Sequence, residues 1–130
     1  MVKKANATSL KAENSSNLVE IIINGIQEKK GKDIVSINLK SIDNAVCDYF
    51  VICHGDSTRQ VDAIANSIEE EVKKNISENV WHKEGYENAE WILLDYIDVI
   101  VHVFQEQTRE FYNLEGLWAD AEIRKLELEY

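Results

Sequence analysis

Residues 84–104 read Glu84-Gly85-Tyr86-Glu87-Asn88-Ala89-Glu90-Trp91-Ile92-Leu93-Leu94-Asp95-Tyr96-Ile97-Asp98-Val99-Ile100-Val101-His102-Val103-Phe104. Apolar residues dominate both sides of Tyr96-Ile97, and their β-branched content favours strand over helix. Two strands meeting at so short a break run antiparallel. With Tyr96 and Ile97 as the turn, Asp95 sits opposite Asp98, and Trp91 opposite His102. One face then carries Ile92, Leu94, Val99, Val101 and Val103, wholly apolar and fit for a core. The other carries Trp91, Leu93, Asp95, Asp98, Ile100 and His102. That face is too apolar for idle surface and too charged for a core. Its composition is that of a binding face, with an aromatic to supply area and acids to select a basic partner.

Outward from the hairpin, the chain alternates clear signals. Ser57-Thr58-Arg59-Gln60 is a capping box, opening a helix to about Lys74 with Val61, Ile64, Ala65, Ile68 and Val72 on one stripe. Asp33 to Leu39 and Asp48 to Cys53 read as strands, too close for a crossover helix between them and so antiparallel or neighbouring. A third strand covers Val80 to Glu84. Ser16 or Asn17 caps a first helix over Leu18 to Lys30, which Gly31 ends. A last helical stretch begins near Glu106 and reaches at least Ala119; its Phe111, Tyr112, Leu114, Leu117 and Trp118 read as core. Residues 1–16 read as a disordered arm, residues 17–121 as the folded domain, and residues 122–130 as a tail, either a helix end or a frayed terminus. The order α-β-β-α-β-β-β-α gives an α+β class: a mixed five-stranded sheet with flanking helices, mainly on one side. The second strand, the capped helix and the third strand are expected to form one right-handed crossover.

Composition narrows the function classes. A chain of 130 residues, 45% of them hydrophobic, fits one domain with one core. The formal charge of −10 repels a phosphate backbone and disfavours charge-driven nucleic-acid binding; it attracts a basic protein surface instead. No signal peptide and no segment long enough to span a membrane is visible, so a cytoplasmic location is expected. The two cysteines, Cys47 and Cys53, are expected to stay reduced. The three histidines, His54, His82 and His102, fall on different strands without ligand spacing, so no metal and no cofactor is expected. No Ser, His and Asp arrangement is legible. Gly55-Asp56-Ser57 at a helix start has the form of an anion site, but Asp56 would repel an anion, and capping by Ser57 is the better account.

The run EGY…WILLDY.DV.VHVF, then Arg109-Glu110-Phe111-Tyr112-Asn113-Leu114-Glu115 and Leu117-Trp118-Ala119-Asp120-Ala121, resembles the ribosomal silencing factor family (Iojap-like, RsfS). Upstream, Asp48-Tyr49-Phe50-Val51-Ile52-Cys53, Gly55-Asp56-Ser57 and Arg59-Gln60-Val61 fit the family's other signature. The likeness covers roughly Leu18 to Ala121. It implies a nucleotidyltransferase-like fold and a translational repressor, not an enzyme. Such a repressor docks on the large ribosomal subunit, chiefly on ribosomal protein fourteen, and sterically blocks joining of the small subunit. The family is also tied to large-subunit assembly, and members often form homodimers when free. On this reading Trp91 and Leu93 supply apolar contact, Asp95, Asp98 and Glu84 meet basic residues of the partner, and Tyr86 and His102 support that surface.

Two other readings stand beside it. The implied fold raises a nucleotide-binding or nucleotidyl-transferring enzyme, whose metals need an Asp-x-Asp pair after the Gly-Ser turn. The strand at that place, Val80-Trp81-His82-Lys83-Glu84, has none. The other is a homodimeric module whose mixed face is a self-interface. The chain also departs from the family at Ile97, where glycine is usual. A β-branched residue resists the positive φ of a two-residue hairpin turn, so a wider turn or another register remains open. A slip by one residue would exchange the two faces.

Overall fold

Strands rich in Val and Ile that are buried along most of their length belong in the middle of a sheet covered on both sides, and two such strands form the centre of this one. The computed structural model describes residues 7–127 and 130, with side chains from Ser15 onward. Its elements are α1 (Ala7–Glu28), β1 (Lys32–Asn38), β2 (Tyr49–Gly55), α2 (Thr58–Ile76), β3 (His82–Glu84), β4 (Trp91–Asp95), β5 (Val99–Gln105), α3 (Glu106–Tyr112), α4 (Leu114–Leu117) and β6 (Glu122–Lys125). They build a mixed six-stranded sheet in the order β3-β4-β5-β2-β1-β6. The central strands β2 and β5 run parallel, and every other neighbouring pair is antiparallel.

The α+β class with flanking helices holds, and the strand count rises from five to six. The sixth strand comes from the tail: Glu122–Lys125 lies against β1, with Val35 opposite Lys125 and Asn38 opposite Glu122. Three of its four residues are fully exposed, so the segment carries no apolar alternation to betray it. The expected β2–α2–β3 crossover joins two strands that run parallel in the one sheet but are not neighbours. After α2 the chain passes over β5 and β4 to place β3 at the far edge. At the other end, α1 starts at Ala7, so residues 7–16 of the expected arm are helical, and Ser16 and Asn17 lie inside the helix instead of capping it. The first six residues lie outside those described.

Helices α1 and α2 cover one face. Gly25 lets them approach closely: a Cβ there would stand 2.9 Å from the Ile68 backbone, and Ser67 Oγ donates to the Gly25 carbonyl at 2.8 Å. Under them lie Ile92, Leu94, Val99, Val101 and Val103, all fully buried as the hairpin pattern requires. The capping of α2 is as expected in one half: Ser57 Oγ accepts from Gln60 N at 3.1 Å. The Gln60 side chain returns to the N–H of Asp56 instead of Ser57, at 2.8 Å. At the end of α1, Lys30 takes the left-handed conformation (φ 60), and Gly31 N reaches back to the Ile26 carbonyl at 3.0 Å. Lys30, not Gly31, therefore turns the chain, in a Schellman arrangement.

The hairpin register differs from the expected one by two residues. Trp91 pairs with Phe104, Leu93 with His102 and Asp95 with Ile100. A shift of two preserves the faces, so the division into a core side and a second side stands. The turn is Ile97-Asp98, closed by Tyr96 N donating to the Val99 carbonyl at 2.9 Å. Ile97 has φ 75, and Asp98 N donates to the Tyr96 carbonyl at 2.9 Å, a γ-turn of the rarer, strained hand. Asp95 Oδ1 steadies it by accepting from Ile97 N at 2.8 Å.

Ile97 is exposed and packs little, so relief of strain should decide the effect of replacing it. Left-handed backbone costs a β-branched residue about 1–3 kcal/mol, and glycine is free of that cost. Ile97→Gly should raise stability by about 1 kcal/mol in urea unfolding. A lower midpoint would mean that the turn stores no strain.

Candidate docking face

The side of the sheet opposite α1 and α2 is built by strand pairing. Glu84, Leu93 and His102 form one row across β3, β4 and β5, and His82, Asp95 and Ile100 the next. Trp91 sits beside Phe104 at the far end of the strands, ring centroids 4.9 Å apart. Its indole Nε1–H donates to His102 Nδ1 at 3.1 Å, so the two expected cross-strand partners do meet, along the diagonal. The indole can only donate, so Nδ1 accepts and the proton of the neutral imidazole resides on Nε2. Nε2 is buried and has no hydrogen-bond partner. Burial holds the His102 pKa down at about 4.

Beside Trp91 a groove of about 200 Å³ is lined by Glu84, Gly85, Trp91 and Leu93. Gly85 has φ 93, and a Cβ there would collide with the Trp91 carbonyl oxygen, so only glycine fits this wall. Glu84 stands at the rim, exposed, 2.7 Å from His82 Nε2. Leu93, Asp95 and Ile100 are half-buried.

Two expected members lie elsewhere. Asp98 is in the turn, where its carbonyl accepts from Asp48 N and Tyr49 N at 2.8 and 3.2 Å. Tyr86 turns to the helix side and donates to Glu69 Oε2 of α2 at 2.6 Å. The expected register had put Asp98 opposite Asp95 on one face, and no pairing rule had fixed Tyr86, which precedes β4 in a loop.

Residues expected in the core join the face instead. The last helix breaks at Asn113 (φ 48) into α3 and α4, each too short to bury a full apolar stripe. Phe111 is 80% exposed, Leu117 72% and Tyr112 49%. The Tyr112 ring lies 4.8 Å from Trp91 and 5.0 Å from Phe111, so the three aromatics run in a line off the sheet. Leu114 and Trp118 do pack inward, Trp118 edge-on to Phe50 at 5.9 Å. The sequence signal for this was the Asn113-Leu114-Glu115-Gly116 break itself, since both Asn and Gly interrupt helices.

Residues 12–129 match the family described as ribosomal silencing factor during starvation. A relative named ribosomal silencing factor RsfS, from Halalkalibacterium halodurans, is 41% identical over 113 residues, 87% of this chain and 95% of the relative. The chain belongs to the ribosomal silencing factor family. A crystal structure of a Chromobacterium violaceum protein superposes with a TM-score of 0.75 at 33% identity, covering 80% of this chain and 85% of that one. A mouse protein named mitochondrial assembly of ribosomal large subunit protein 1 is 28% identical over 102 residues, 77% of this chain and 44% of the mouse protein.

In this family member the Gly55-Asp56-Ser57 turn has its polar groups engaged. Asp56 pairs with Lys32 at 2.6 Å, and its N–H and the Gln60 N–H are taken by the caps of α2. His54 is buried on β2 and accepts from Arg109, while His82 is exposed on the edge strand. Cys47 and Cys53 are free thiols, and burial raises each pKa to about 12. No helix among the described residues is long and apolar enough to cross a membrane.

The sign of the His102 effect on stability follows from its lowered pKa. The unfolded chain takes up the proton near 6.5 and the folded chain near 4. Stability is therefore present above 6.5 and lost as the pH falls from there toward 4. Going from pH 7 to about pH 5 should remove about 2 kcal/mol in urea unfolding, and His102→Gln, which still accepts from the indole, should flatten that loss. An equally steep fall in the variant would assign the effect to other groups.

Proposed function

We propose that this chain is a translational repressor that docks on the large ribosomal subunit through ribosomal protein fourteen and blocks joining of the small subunit by occupancy. The observation that carries this reading is the uncovered run Trp91–Tyr112–Phe111, continuous with a groove over Leu93 and rimmed by Glu84. An aromatic anchor beside a side-chain-sized groove has hot-spot form. Family membership supplies the ribosome as partner, and the mouse relative's name points to the large subunit. The net charge of −10 favours a basic protein surface over bare RNA.

No bond is made or broken in this mechanism; the work is steric. Trp91, Leu93, Tyr112 and Phe111 give the apolar contact, Glu84 and Asp95 select basic side chains, and His102 holds the indole in place from behind. The same face, free of the ribosome, would pair two copies as a homodimer in the cytoplasm. The frame is a nucleotidyltransferase-like one on this reading, keeping the turn before α2 and lacking the carboxylate pair that would hold metal. Co-sedimentation with purified large and small subunits tests the proposal: the chain should pellet with the large subunit alone. Equal pelleting with both, or with neither, would overturn it.

Trp91 both packs on Phe104 and lines the groove, so truncating it would mix folding with binding. Exposed side chains separate the two. Phe111→Ala should leave unfolding within about 0.5 kcal/mol of the parent, yet weaken large-subunit binding by about 1–2 kcal/mol. A variant that binds as the parent does would remove α3 from the interface.

Binding should also weaken as salt rises, because the Debye length shrinks from about 10 Å at 0.1 M to about 3 Å at 1 M. Glu84→Gln should lower the association rate and its salt slope together. Unchanged association across salt, in parent and variant alike, would make the acids bystanders.

A further inference from the structure

Buried side chains usually anchor a short helix to a sheet through apolar contact, and α3 departs from that. Its one buried residue is Arg109, 8% exposed, and α4 has none. The guanidinium is engaged on every nitrogen. Nε and Nη2 donate to Glu115 Oε2 of α4 at 3.0 and 2.7 Å. Nη1 donates to His54 Nδ1 of β2 at 3.0 Å and to the Lys32 carbonyl of β1 at 3.4 Å. One side chain therefore ties α3 to α4 and both to two strands of the sheet.

We infer that Arg109 is a positioning residue for docking: its fork of bonds to Glu115, His54 and Lys32 fixes α3 and α4 so that Phe111 and Tyr112 continue the surface begun by Trp91. This rests on the docking reading above and adds to it the device that sets the geometry of the aromatic line. Helices of seven and four residues are too short to stand on propensity alone. Gln105 gives α3 no side-chain cap, and Asn113 between the helices adopts the left-handed backbone (φ 48). The planar guanidinium supplies what these lack, because its donors leave in fixed directions and each acceptor constrains the rotation of the helix. A lysine has charge but no fork.

The surroundings favour geometry over gain in stability. A buried ion pair adds little net stability against an apolar replacement, yet removing one partner strands the other. Beside Arg109 lies a cavity of about 450 Å³, lined among others by His54, Glu110, Asn113 and Glu115. A guanidinium released from Glu115 would have room to swing into it, carrying the helix with it. The ring of Tyr112, three residues along α3, lies 4.8 Å from Trp91 and would register the movement.

The test compares Arg109→Lys, Arg109→Met and Glu115→Gln with the parent chain, and uses Phe111→Ala as a control. Glu115 is part-exposed, so Glu115→Gln is the gentlest change and keeps the measurement open should Arg109→Met not fold. Large-subunit binding, thermal unfolding and the Trp91 indole ¹H–¹⁵N resonance are recorded for each. Arg109→Lys and Glu115→Gln should bind at least about tenfold more weakly and shift the indole resonance, while the amide signals of β2 and β5 stay in place. Binding within about twofold of the parent in both folded variants would overturn the inference, and so would weaker binding with an unmoved indole resonance. If Phe111→Ala also binds normally, α3 lies outside the interface and the inference fails with it; only a parent chain that does not pellet selectively with the large subunit overturns the docking reading itself. If only Phe111→Ala is weakened, docking stands and the Arg109 pin does not.

Discussion

Strand β5 is wedged between β4 and β2, and both of its faces must be taken out of water. Val99, Val101 and Val103 point under α1 and α2, while His102 and Phe104 point the other way, and all are buried. A strand with that demand can sit only in the interior of a sheet with two covering layers. The first layer is complete, since α1 and α2 are long and pack closely at Gly25. The second is assembled from short pieces: α3, α4, Trp118 and the loop residues Ile42, Ala45 and Cys47. It reaches over Phe104 and Phe50 but stops short of Leu93 and part of Trp91. The candidate docking face is the region where this second layer ends.

Legibility followed the strength of local periodicity. The faces of the hairpin could be read because alternation along β4 and β5 has a period of two, and an error of two residues in register leaves that parity intact. The turn could not be read, because the residue in positive φ is Ile97, the kind of side chain that argues against such a turn. Helix α2 was legible from its cap and stripe. Strand β6 was not, since an exposed edge strand made of Glu122, Ile123, Arg124 and Lys125 owes its existence to pairing with β1, a tertiary effect. Alternation alone assigned Trp91 and Leu93 to the face opposite the helices, while Glu84 joins their row only through the pairing of β3 with β4. Phe111, Tyr112 and Leu117 were misread because apolar content was equated with burial, although a helix interrupted at Asn113 has too little length to bury them all.

Local rules are broken together around the hairpin. Ile97 holds an unfavourable φ, Tyr96 Oη and His102 Nε2 are buried without partners, and Gly85 is confined against the Trp91 backbone. Each feature alone would destabilise a small domain, and they gather around one hairpin, Tyr96 in the core under α1 and α2 and His102 on the opposite face. The α1–α2 layer offsets this. Its side chains, Ile22, Ile26, Ile64 and Ile68 among them, are wholly buried and break no such rule. The molecule thus has a well-packed helical layer that folds it and an irregular hairpin that this layer carries.

The two borders of the sheet bear on how the protein keeps company with itself. Strand β3 is three residues long, His82-Lys83-Glu84, all exposed, and β6 offers Glu122, Arg124 and Lys125. Unpaired strand borders invite backbone-to-backbone stacking of one molecule on the next, and brevity together with charge discourages it. Arg124 is moreover held by Glu20 of α1 at 2.8 Å, which binds the outermost strand to the helical layer. Short, charged borders at both ends of the sheet therefore work against its extension from one molecule to the next.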